Sequence, residues 1–83
     1  MKEIAECFNL LFEDIQEIAY ESLPPMYDDT GQCFFKGTAY FVAYTVYGAR
    51  IEIAEQESRF LQIKELFNID LPLHENKTLY VRS

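Results

Sequence analysis

Tryptophan is absent, and the 83 residues include one histidine, two cysteines, three glycines and three prolines. Each scarcity excludes something. A single histidine, His74, leaves no two-histidine metal site and no histidine-based relay. The isolated Gly31, Gly37 and Gly48 form no phosphate-cradling loop, and Ser22, Ser58 and Ser83 lack a glycine elbow. Cys7 and Cys33 are too few for a disulfide framework and sit among apolar neighbours, so both read as buried thiols in a reducing, cytoplasmic setting. The expectation is a non-enzyme with no catalytic residue, no metal and no cofactor.

Long apolar runs are missing as well. The longest, Ala39 to Tyr44, falls far short of the roughly 20 residues a spanning helix needs. Met1-Lys2 is followed at once by Glu3 and Glu6, which is no export signal. Basic residues are scarce: seven Lys and Arg stand against fourteen Asp and Glu, a net charge of −7. That balance argues against direct binding to nucleic acid or to an anionic membrane. The deficit is local. Residues 1–35 carry eight acids and the single base Lys2, whereas the six acids and six bases of residues 36–83 cancel.

What is present centres on the stretch from Cys33 to Ile53, rich in aromatic and β-branched side chains suited to a pleated surface. Gly37 and Gly48 divide it, predicting strands near 32–36, 38–47 and 49–54 with turns around Lys36-Gly37 and Tyr47-Gly48. In the middle strand Tyr40, Val42, Tyr44 and Val46 share one face, with Phe41, Ala43, Thr45 and Tyr47 on the other. One face is bulky and the other mixed, which marks the strand as central. The competing reading is one long helix from Thr38 through Phe67.

Before this stretch, Ile4, Phe8, Leu11, Ile15, Ile18 and Ala19 follow a 3-4 spacing, which predicts an amphipathic helix over 3–22 that stops at Leu23-Pro24-Pro25. Residues 24–31 read as a loop. After it, residues 55–68 predict a second helix with Phe60, Ile63, Leu66 and Phe67 inward and a Glu55–Arg59 pair on its surface. Asn68 closes that helix, Leu71-Pro72 prevents its resumption, a turn spans His74 to Lys77, and 78–81 forms a last strand. The fold class is therefore α+β. One domain, 1–83, packs two helices on one face of a three- to four-stranded antiparallel sheet, in the order α-β-β-β-α-β.

Asp29-Thr30-Gly31 spells the tripeptide of aspartic proteases, but no apolar strand leads into it, and the likeness covers three residues. Asp28, Asp29 and Thr30 could also offer oxygens to a hard cation, without the further carboxylates such a site requires. Turn chemistry accounts for the segment, since Asp and Thr bond nearby backbone and Gly permits positive φ.

On a helix over 3–22, Glu3, Glu6, Glu13, Asp14, Glu17 and Glu21 would occupy one arc opposite the apolar stripe. Like charges such as Glu13–Glu17 and Glu17–Glu21 would cost roughly 0.2–0.5 kcal/mol each. A merely solvated face is the bland reading. The sharper one is a partner-binding surface of Glu6, Leu10, Glu13, Asp14, Glu17, Tyr20 and Glu21, extended by Asp28 and Asp29, with Leu10 and Tyr20 as anchors. The function expected is inhibition or regulation of a protein with a basic, nucleic-acid-handling surface, by charge mimicry. In size and charge the chain is similar to immunity proteins, nuclease inhibitors and phage-encoded anti-defence proteins. The alternative is a structural or assembly module, a homodimer formed through its aromatic sheet face.

Overall fold

The computed structural model describes residues 1–68 and 75–83. Helix α1 spans Lys2–Cys7, a 3₁₀ turn covers Phe12–Asp14, and strand β1 runs Ile15–Leu23. Then come β2 (Met26–Tyr27), β3 (Cys33–Phe35), β4 (Thr38–Thr45), β5 (Arg50–Ala54), helix α2 (Ser58–Phe67) and β6 (Lys77–Val81). Four strands form one antiparallel sheet in the order β5-β4-β1-β6, and β2 pairs with β3 in a separate two-stranded sheet.

The mixed helix-and-sheet class and the antiparallel sheet agree with the sequence reading. The long first helix does not. It ends after Cys7 because Asn9 takes the left-handed conformation (φ 58), and the N–H groups of Asn9 and Leu10 close back on the carbonyls of Glu6 and Ala5. The helical spacing was carried by a strand instead. A bulge between Ile15 and Glu17 turns Ile15 to the same face as Ile18, so two strand residues three apart both reach the core. Ala19 is buried as well because β1 is a central strand, flanked by β4 and β6.

Residues 38–67 are two strands and a helix, so the single-helix alternative fails. The strands after Gly37 and Gly48 lie within about two residues of expectation, and the division of β4 into two faces holds. Helix α2 starts later than expected, at Ser58. Arg59 pairs with Glu57 at 2.6 Å, not with Glu55, and also donates to the carbonyl of Cys7 at 3.1 Å. That bond ties the start of α2 to an otherwise unpaired carbonyl at the end of α1. Ile63 is buried, Phe60 and Phe67 pack on the core, and Leu66 is exposed, contrary to expectation. Asn68 closes α2 in the left-handed region as expected, with φ 50. The break expected at Leu71-Pro72 and the start of the turn at His74 lie outside the described residues.

The core is one layer between the helices and one sheet face. Phe41 is its centre, with ring centroids of Phe60, Tyr20 and Phe67 at 4.6, 5.7 and 6.4 Å. Around it lie Ile4, Phe8, Ile15, Ile18, Ile53 and Ile63. This unit is the head of the molecule. Beyond it the chain is elongated: the radius of gyration is 14.2 Å, where a compact chain of this length has about 12 Å. The molecule measures 49 × 26 × 20 Å, and the β2–β3 hairpin continues past Leu23–Thr38, the last pair of β1 with β4. That hairpin is an arm.

Candidate interaction surface

The residues expected to form one acidic face are distributed over three places. Glu6, on α1, lines two grooves. One, of about 510 Å³ between α1 and α2, is walled by Glu3, Glu6, Glu65, Cys7, Arg59 and Leu66. The other, of about 320 Å³ on the far side of α1, is mostly apolar, with Leu10, Leu11 and Phe12 between Glu6 and Glu13. Leu10 is half-buried against the core, held there by the turn that ends α1. Glu13 and Asp14 follow in the 3₁₀ turn, where the Asp14 carbonyl accepts the Val46 N–H at 2.9 Å. Glu6, Leu10, Glu13 and Asp14 therefore stay together at the helical end of the head.

Glu17 and Glu21 do not join them. Both project from β1 onto the sheet face opposite the core, level with Tyr44 and Tyr40 of β4. Tyr20 points the other way and is buried against Phe41, so it cannot serve as an exposed anchor. Glu21 is neutralised: Arg50 reaches across from β5 and grips both carboxylate oxygens, at 3.0 and 3.1 Å. The Tyr44 hydroxyl donates to Glu21 at 2.5 Å while accepting from Arg50 at 2.5 Å, and Arg50 Nε donates to Glu52 at 2.8 Å. Hydrogen bonds from Arg50 and then Tyr44 hold the Glu21 carboxyl below its ordinary range. The same carboxylate, together with burial, pushes the Tyr44 phenol up. Arg50 and Tyr44 were invisible as partners of Glu21 from sequence, since they lie 29 and 23 positions away. Only the register of three strands brings them together.

Asp28 and Asp29 sit apart from both groups, at the tip of the arm. One oxygen of Asp28 accepts the Thr30 N–H (2.9 Å), the Thr30 hydroxyl (2.6 Å) and the Gln32 N–H (3.0 Å). The Thr30 and Gln32 bonds depress its pKa. This is the turn chemistry read from the sequence. Among the described residues no group of three or more His, Cys, Asp or Glu side chains could hold a metal ion, and no helix is long and apolar enough to cross a membrane.

The arm has no counterpart among the expected elements. Leu23, Met26, Tyr27 and Phe34 are 47, 46, 60 and 65% exposed, and Cys33, expected to be buried, is exposed beside them. Cys7 is half-buried, and that burial pushes its thiol up. A signal for the arm did exist. Pro24-Pro25 and Lys36-Gly37 are placed symmetrically about the Thr30-Gly31 bond, the spacing of a hairpin whose two strands are interrupted at the same level. Comparison with protein-family models, curated proteins and solved structures returns no match.

Proposed function

We propose that the protein is a small acidic binding module that inhibits or regulates a basic, nucleic-acid-handling protein, and that the helical end of its head is the contact. The supporting observation is the position of Glu6 between two grooves, which gathers Glu3, Glu6, Glu13 and Glu65 around α1. Among the described residues, the basic side chains lining these grooves are Lys2 and Arg59, and the Arg59 guanidinium is engaged by Glu57 and the Cys7 carbonyl. Leu10, Leu11 and Phe12 give the carboxylates an apolar floor, the combination that a Lys- or Arg-rimmed surface would bury. Occupying such a surface displaces nucleic acid, because the phosphate contacts that dominate nucleic-acid affinity use the same cations. Glu21 is no part of the contact, being spent on Arg50.

Immobilised protein should retain a basic nucleic-acid-handling partner from lysate, release it as salt rises, and lose it when Glu6 and Glu13 are both changed to Lys. Retention that ignores both salt and the double reversal overturns this reading.

A further inference from the structure

We infer that two copies of this chain associate through their arms about a two-fold axis, the tip of each arm lying against the base of the other. This uses a surface separate from the helical end of the head and does not rest on the function proposed for it.

The arm cannot be self-sufficient. An isolated two-stranded hairpin is marginal in water and needs a further layer against its apolar side. Here β2 and β3 share only the pairs Met26–Phe35 and Tyr27–Cys33, with a register shift between them. Nothing in the described chain covers Met26, Tyr27 and Phe34. Yet both ends of the arm are locally constrained. At its base Gly37 (φ +85) passes so close to Leu23 and Pro25 that a Cβ would stand 2.8 Å from the Leu23 carbonyl oxygen. At its tip Asp28 pins Thr30 and Gln32. An apolar projection whose base and tip are already shaped has less to order on docking.

Charge selects the occupant and its direction. Between Pro24 and Gly37 the acids are Asp28 and Asp29, both at the tip, and the only base is Lys36, at the foot, in a cavity that Glu55 also lines. Neither Asp29 nor Lys36 forms a salt bridge among the described residues. An antiparallel two-fold pairing sets each tip's carboxylates against the partner's Lys36, and both contacts form at once because the interface is isologous. It also keeps the two acidic heads at opposite ends of the paired arms. Their separation exceeds the Debye length of about 8 Å at physiological salt, so repulsion between them is screened. A side-by-side dimer through the open sheet face has no such relief, and it would bury the satisfied Glu21–Tyr44–Arg50 network.

The arms are small against the roughly 1,600 Å² of a standard interface, so the dimer is weak and concentration-dependent. Sedimentation of the full chain from about 1 to about 300 μM should move from monomer to dimer, within the range that weak interfaces occupy. Tyr27→Asp with Phe34→Glu should abolish the dimer without changing the thermal unfolding of the head, since both side chains are more than half exposed. Lys36→Asp should weaken association about fivefold or more, and adding Asp29→Lys to it should restore association. Alkylation of Cys33 should slow as the dimer fills, while that of Cys7 stays constant. A strict monomer across this range, a dimer that survives the Tyr27/Phe34 change, or a charge swap that fails to restore association overturns the inference.

Discussion

Phe41 and Phe34 carry the same side chain, stand seven positions apart, each on an antiparallel strand, and their fates are opposite. Phe41 is fully buried beneath Phe60 and Phe67, whereas Phe34 is 65% exposed. The strands themselves do not explain this. Both sheets carry aromatic side chains suited to a pleated surface, although the β-branched strand residues are confined to the head. What differs is the second layer: α1 and α2 close over one face of the β5-β4-β1-β6 sheet, and nothing in the described chain closes over β2 and β3. Burial is a property of what packs against a strand, and a strand's composition states only its readiness to be covered.

This contrast can be broken most forcefully at its two phenylalanines. Phe41→Ala removes the centre of the aromatic cluster and should cost about 3–5 kcal/mol, a large share of the roughly 5–15 kcal/mol that holds an ordinary domain together. Phe34→Ala should stay within about 0.5 kcal/mol, as surface substitutions do. Urea unfolding followed by circular dichroism, at a concentration low enough to keep the chain monomeric, measures both. Comparable losses at the two positions would mean that the arm is packed in solution, and the division into head and arm would fall.

The joint between the two regions comes next in size. Gly37→Ala would hold a side chain at φ +85 and drive its Cβ to 2.8 Å from the Leu23 carbonyl oxygen, backbone that cannot swing aside. Strain of this kind costs about 1–3 kcal/mol. The same change at Gly48 also meets positive φ, but finds no atom within 4 Å. A fall in melting temperature clearly larger for Gly37→Ala than for Gly48→Ala is expected. Equal falls would show that φ alone matters and that the joint is loose.

How much of this was legible in advance follows the same division. The sheet after Gly37 was readable because glycine punctuation and alternation act locally, and Tyr40–Val42–Tyr44 against Phe41–Ala43–Thr45 sorted themselves by period alone. The first third was misread because a bulge at Ile15–Glu17 converts a period of two into an apparent spacing of three, while Ala19 is buried by a neighbouring strand rather than by helical periodicity. Asn9 was the available correction, being a residue that tolerates the left-handed turn ending a helix. The acidic cluster was half legible for the same reason. Glu6, Leu10, Glu13 and Asp14 stay together because the chain there remains compact, whereas Glu17 and Glu21 leave with the strand. Nothing short of the strand register could have paired Glu21 with Arg50.

That pairing supplies the smallest effect and the finest test of the head. Arg50 and Tyr44 hold the Glu21 carboxyl below its usual range by bonding to the ionised form. A depressed carboxylate contributes stability above the ordinary glutamate pKa of about 4.3, and that contribution fades as pH falls through the folded value. Arg50 is more than a third exposed, so solvent screening limits the gain to about 1 kcal/mol or less. Glu21→Gln should therefore lower the urea midpoint slightly at pH 7, and the difference from the parent should shrink at pH 3. Asp28 and Glu57 are depressed too and weaken both proteins in acid alike, so the difference between the two chains isolates Glu21. A gap that persists or widens at pH 3 would show that the glutamine acts through packing and that the network on the open face contributes nothing electrostatic.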